Sequence, residues 1–112
     1  MSDKENVKVD HYMRDWGVEM VLVNKEEYAC KMIIIKENAQ TPYIYHKKRK
    51  KTLFLLQNAV ILDIEGKNRM LKEKESFDIA PKMMHRLKAI KGEVTLLEIS
   101  TKIEDDIVVV ED

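Results

Sequence analysis

The run Tyr45-His46-Lys47-Lys48-Arg49-Lys50-Lys51, taken with Pro81-Lys82-Met83-Met84-His85-Arg86, decides how this chain is read. Each run carries one histidine at the edge of a short, strand-like segment. In a strand, side chains alternate between faces. If His46 faces an interior, Ile44 and Lys48 face it too, while Tyr43, Tyr45 and Lys47 point away. Gln57 and Asn58 close the next strand, near where that wall would open to solvent.

The same texture continues on both sides. No segment keeps a 3.6-residue apolar period with caps. Short runs rich in Val, Ile, Leu and Tyr recur instead, separated by polar clusters. Strands are expected at 18–23, 28–35, 43–46, 53–56, 60–64, 69–72, 76–79, 85–90, 94–100 and 107–110. Asn38, Asn58 and Gly66 are best able to take the positive φ of tight turns. Glu65-Gly66-Lys67-Asn68 marks the clearest hairpin. Many short strands joined by hairpin-length turns imply an all-β sandwich or barrel. Residues 1–10 read as an N-terminal arm and 11–112 as the barrel.

Bulk properties narrow the classes. A chain of 112 residues supports one core. Hydrophobic residues at 45% and charged residues at 36% are globular proportions. Twenty basic residues balance twenty acidic ones, so overall charge recruits neither nucleic acid nor an anionic membrane. The lone Cys30 has no internal disulfide partner and reads as a small buried thiol. No apolar run has the length of a membrane span, and the charged start is no signal peptide. A soluble cytoplasmic protein is expected.

Five pieces in order carry a resemblance: Arg14-Asp15-Trp16-Gly17; Glu27-Tyr28-Ala29-Cys30-Lys31; Tyr45-His46 through Lys51-Thr52; Ile79-Ala80-Pro81-Lys82-Met83-Met84-His85-Arg86-Leu87; and Glu104-Asp105-Asp106-Ile107-Val108. Together they resemble the cupins, and within them the small domain of type II phosphomannose isomerases. The resemblance implies a single-domain double-stranded β-helix, or jelly-roll barrel. It also implies a metal site built from two His and one Glu in the first motif and a third His in the second. His46 and His85 stand at two of those positions. Lys48 replaces the second histidine and Lys51 replaces the glutamate, so the metal site reads as degenerate. Lys82 occupies a family glycine position.

A divalent ion and an ammonium about 5 Å apart repel by roughly 6–7 kcal/mol at an effective dielectric of about 20. No resident cofactor is therefore expected; zinc, manganese or iron would be held only loosely by His46 and His85. The same positions suit an anion. Lys48, Lys51, Gln57 and Arg86 are the expected ligand-binding residues for a small-molecule anion or sugar phosphate. His46 and His85 are the candidate catalytic residues if the resemblance extends to sugar-phosphate isomerisation, with Lys48 or Lys51 as electrophile. The partner expected beyond that ligand is a second copy, in a homodimer.

Plainer readings stand beside these. Lys47, Arg49 and Lys50 read as a solvated turn, and Met83-Met84 as gap-filling core. Trp16 and Tyr28 read as packing at the barrel end or a dimer face. Glu98, inside an apolar strand, is either solvent-facing or a base partnered by a barrel Lys or His. The acidic segment 104–112 reads as surface.

Overall fold

Eleven strands, β1 (Asp10–Arg14) to β11 (Ile107–Glu111), make up the regular structure in the computed structural model, which describes residues 8–112. Between them lie β2 (Gly17–Asn24), β3 (Ala29–Ile35), β4 (Tyr43–His46), β5 (Lys51–Gln57), β6 (Val60–Ile64), β7 (Lys67–Leu71), β8 (Ser76–Ile79), β9 (His85–Lys88) and β10 (Val94–Ser100). Every strand expected from the sequence is present, with ends shifted by a few residues at most. β1 was not expected. Its five residues, Asp-His-Tyr-Met-Arg, are all exposed and show no apolar alternation. It forms because a turn at Asp15-Trp16 folds it back on β2, with Arg14 opposite Gly17. The expected arm, residues 1–10, lies mostly outside the described residues.

The strands form two antiparallel sheets: a six-stranded one ordered β1-β2-β3-β10-β5-β8 and a five-stranded one ordered β11-β4-β9-β6-β7. Residues of alternating parity face inward from both. On β3 these are Ala29, Ile33 and Ile35; on β5, Leu53 and Leu55; on β10, Val94 and Leu96. Val60, Leu62 and Ile64 of β6 with Leu87 of β9 complete the core from the opposite sheet.

The turns follow backbone chemistry. Glu65 (φ 53°) and Gly66 (φ 86°) form a two-residue hairpin loop between Ile64 and Lys67. Positive φ at both positions matches the right-handed twist of the flanking strands. Asn38 and Asn58 both take φ 65°, and Lys82 takes φ 68° although the side chain resists that region. At Lys82 the amide donates to the His46 carbonyl at 2.7 Å, which ties the second histidine motif to the first.

The apolar core fills one end of the barrel. Toward the other end the inward positions turn polar: Lys31 on β3, His46 on β4, Lys51 on β5, His85 on β9 and Glu98 on β10.

Candidate functional site

Strand register brings the two histidines together. His85 on β9 pairs with Ile44 on β4, and His46 lies two residues along the same face of β4. Such diagonal neighbours are within side-chain reach. The imidazole centroids lie 5.9 Å apart, and both residues are buried.

The other sheet supplies Lys51 and Glu98. Glu98 pairs with Leu53 of β5 on one side and Lys31 of β3 on the other. Lys51, two residues before Leu53, is therefore its diagonal neighbour. Lys51 Nζ donates to Glu98 Oε1 at 2.9 Å and to His46 Nε2 at 3.1 Å. Both members of this ion pair are buried.

Lys48, expected beside His46 inside the barrel, is exposed and does not line the cavity. Arg49, expected in a solvated turn, is 1% exposed. Alternation fails here because β4 ends at His46 and the chain bends. The bend is held by Asp106. Its Oδ2 accepts the amides of Lys48 (3.1 Å) and Arg49 (2.8 Å), and its backbone oxygen accepts the Lys47 amide at 2.9 Å. Arg49 is thereby turned inward. Its Nη2 reaches His46 Nδ1 at 2.9 Å and Nε2 at 3.3 Å, and its Nε lies 3.4 Å from Asp106 Oδ1. Arg49 Nε and Nη1 make no hydrogen bond and are buried.

Gln57 is exposed at the end of β5, away from the cavity. Arg86 is buried but faces away from the cavity: Nε donates to the Thr41 carbonyl at 2.7 Å and Nη2 to the Glu111 carbonyl at 3.2 Å. Its contacts brace β11 and the segment before β4.

Beside the cluster lies a cavity of about 250 Å³, lined by residues of both sheets. Its walls are apolar at Trp16, Ile33, Ile44, Leu87, Ile107 and Val109, with Arg49, Lys51, His46, His85 and Glu98 among its polar residues. Toward the β1–β2 hairpin, Glu19 accepts from Arg14 Nε at 2.8 Å and from Lys31 Nζ at 3.1 Å. A larger, shallower hollow of about 550 Å³ runs past Thr52, Asp78 and Ile99; it shares Lys51 with the cluster, but neither histidine lines it. The smaller cavity holds the chemistry.

The electrostatics follow from burial and close charges. Burial, then Lys51 and Arg49, lowers the His46 pKa to about 4. Burial, then Lys51, lowers His85 to about 3. Both are therefore neutral at neutral pH. Burial pushes Glu98 up, but Lys51 and Lys31 outweigh it and hold its pKa at about 2. Burial pushes Lys51 down while Glu98 pulls it back, and we take the pair as ionised. Burial also opposes ionisation of Asp106, yet the two donated amides bring its pKa below the ordinary carboxylate range. Cys30 is half-buried, its thiol pushed up by burial and by Glu98, which makes it a poor nucleophile.

His85 Nδ1 lies 2.9 Å from the Met83 carbonyl and must donate there, leaving Nε2 as a buried acceptor without a partner. Neutral His46 has one lone pair, for which the Lys51 and Arg49 donors compete.

The donor set does not fit a divalent ion. Lys51 Nζ lies against His46 Nε2, the atom that would bind metal, and Arg49 crowds the same ring. An ammonium there repels a divalent cation and already occupies the lone pair that would bind it. Among the described residues no three His, Cys, Asp or Glu side chains are grouped to hold an ion.

Sequence reasoning brought His46, His85 and Lys51 to one place and left Glu98 open between two readings. It set Arg49 in a solvated turn and Asp106 on the surface, where the structure buries both, and it missed Glu19 and Lys31. Lys31 was legible, since alternation along β3 sets it on the inward side with Ala29, Ile33 and Ile35. Arg49 and Asp106 both lie inside motifs that carry the resemblance, but nothing local in the sequence marked that Asp106 would turn Arg49 inward.

Two antiparallel sheets closing around an inward cluster at one mouth define a cupin, a double-stranded β-helix. The chain belongs to the family described as mannose-6-phosphate isomerase C-terminal, whose model matches residues 2–112. No curated protein matches the sequence. Among solved structures, KdgF from a Halomonas species is 13% identical, with TM-score 0.78 and 93% of each chain covered. A cupin-like protein from Thermotoga maritima is 19% identical, with TM-score 0.74, covering 86% of this chain and 78% of that one. The DMSP lyase DddQ from Ruegeria pomeroyi is 14% identical, with TM-score 0.78 over 86% of this chain. The present chain spans about half of DddQ, 52%. At these identities the likeness establishes the fold alone. Among the described residues no helix is long and apolar enough to cross a membrane.

Proposed function

We propose that this cupin binds a small anionic ligand, of the sugar-phosphate or carboxylate kind, at a site where protein cations replace the metal. The observation that carries the reading is the buried pair Arg49 and Lys51, both lining the cavity at the His46–His85 mouth. A buried cation is costly unless it is paired. Lys51 has Glu98; Arg49 has a 3.4 Å ion pair from Nε to Asp106 Oδ1 and a contact from Nη2 to His46, but its Nε and Nη1 make no hydrogen bond. An anion in the cavity supplies what Arg49 lacks. The test is a thermal-shift and calorimetric panel of small anions on the pure protein. Stabilisation without turnover is the expected result, and a panel without any binder removes the reading.

The family membership favours a second reading, isomerisation of a sugar phosphate such as mannose 6-phosphate. Here His85 Nε2, a free acceptor, would act as base and Lys51 would stabilise the enediolate. Incubation with mannose 6-phosphate that yields no fructose 6-phosphate, with or without added metal, eliminates it.

A homodimer belongs to the same proposal. The edge strands β1 and β11 leave Tyr12, Met13, Val109 and Val110 exposed, and uncovered edges invite pairing. Sedimentation at a monomer mass would exclude it.

A further inference from the structure

The charged groups around the cavity do not cancel. Arg14, Lys31, Arg49 and Lys51 are four cations; Glu19 and Glu98 line the cavity with them, and Asp106 lies behind Arg49 as the third carboxylate. His46 and His85, the other titratable groups facing this space, are uncharged at neutral pH. One positive charge is left over.

Paired one to one, Lys51 goes with Glu98 and Arg49 with Asp106, so the excess falls where Arg14 and Lys31 share Glu19; what singles out Arg49 is its hydrogen bonding. Lys51 gives one hydrogen bond to Glu98 and one to His46. Lys31 and Arg14 each hold an oxygen of Glu19. Arg49 is different: two of its three guanidinium nitrogens have no acceptor, and the third competes with Lys51 for one imidazole lone pair. A guanidinium presents a planar fork that a carboxylate fills with two parallel hydrogen bonds. Buried donors without partners in a native site call for an explanation, and a bound acceptor is one.

The rest of the cavity limits what is attached to that acceptor. Ile33, Ile44, Leu87, Ile107, Val109 and Trp16 offer apolar walls. Those hydroxyls of a polyhydroxylated body that face these walls, rather than Thr41, Glu19 or His85, would be buried without partners, at a cost of about 1–3 kcal/mol each. A dianion would reverse the local excess rather than cancel it.

We propose that the cavity takes a small monocarboxylate with an apolar body, its carboxylate held by the guanidinium of Arg49. This rests on the small-anion reading above and narrows it. Arg49 lines the cavity, and a turn of its side chain that releases Nη2 from His46 presents the Nη1–Nη2 fork to the ligand.

The test is calorimetric titration of the unaltered protein at neutral pH with matched pairs. Benzoate and phenylacetate are set against benzamide and phenylacetamide, which keep the shape and lose the charge. Mannose 6-phosphate and inorganic phosphate form the third arm. The expected result is that at least one acid binds roughly tenfold or more tightly than its amide, and that Arg49→Met removes this preference. Equal binding of acid and amide overturns the proposal. Binding of the phosphates with no acid bound also overturns it, while leaving the small-anion reading in place. If nothing in the panel binds, both fall. Should Arg49→Met fail to fold, the acid-against-amide comparison on the unaltered protein decides alone.

Discussion

Lys51 Nζ lies 2.9 Å from Glu98 Oε1 inside the barrel, where the family resemblance calls for a metal ion and its carboxylate ligand. The charges have changed carriers. Lys51 stands at the position of the family glutamate, and the carboxylate comes from β10, the neighbouring strand of the same sheet. Removing one partner leaves a buried, uncompensated charge. Lys51→Met should therefore cost about 3–5 kcal/mol in urea unfolding, whereas Lys51→Met with Glu98→Leu should recover most of that loss. Equal costs for the single and double variants would show that the pair is not coupled.

Stability should fall in acid, with a slope set by the buried histidines. Their folded pKa values, about 4 for His46 and about 3 for His85, lie below the ordinary 6.5. The unfolded chain then binds protons that the folded one refuses. Stability is complete above 6.5 and declines as pH falls through that value toward 4. Each histidine contributes up to about 1.4 kcal/mol per pH unit. Glu98 acts in the same direction lower down: its folded pKa of about 2 lies below 4.5, so its contribution is present above 4.5 and lost between 4.5 and 2. Denaturant melts at stepped pH read the slope, and His46→Asn should flatten it between 6.5 and 4.

Asp106 should matter more than its place in an acidic tail suggests. Its carboxylate receives the Lys48 and Arg49 amides and turns Arg49 inward. Asp106→Ala should destabilise by about 1.5–3 kcal/mol, the range for hydrogen bonds to a charged acceptor. It should also speed amide exchange at residues 47–49 before other parts of the barrel. Uniform loss of protection would argue against a local clamp.

Divalent ions should do little. With Lys51 Nζ 3.1 Å from His46 Nε2, zinc, manganese or iron meets an ammonium at the coordinating atom. Neither EDTA nor added zinc should shift the melting temperature of the unaltered protein by more than about a degree, whereas a structural metal contributes several kcal/mol. Stoichiometric metal after dialysis would refute this.

The positions of the strands along the chain were readable from local pattern, alternation and turn residues, and the meeting of His46 with His85 from the two motifs that carry the family resemblance. β1 was not readable, because its exposed residues carry no pattern and its pairing comes from the hairpin with β2. The same limit governed the site. Lys51 was placed from its motif, and Lys31 could have been placed from the alternation of β3.

The sequence by itself determined a single all-β barrel, the family, and two histidines at its mouth with lysine in place of a metal ligand. Only the tertiary structure decided which cation turns inward. Period-two alternation holds only while a strand continues, and β4 stops at His46. Beyond that point the direction of each side chain is set by Asp106, which reaches back from near the end of the chain to the amides of Lys48 and Arg49. It puts Arg49 into the barrel and leaves Lys48 in solvent.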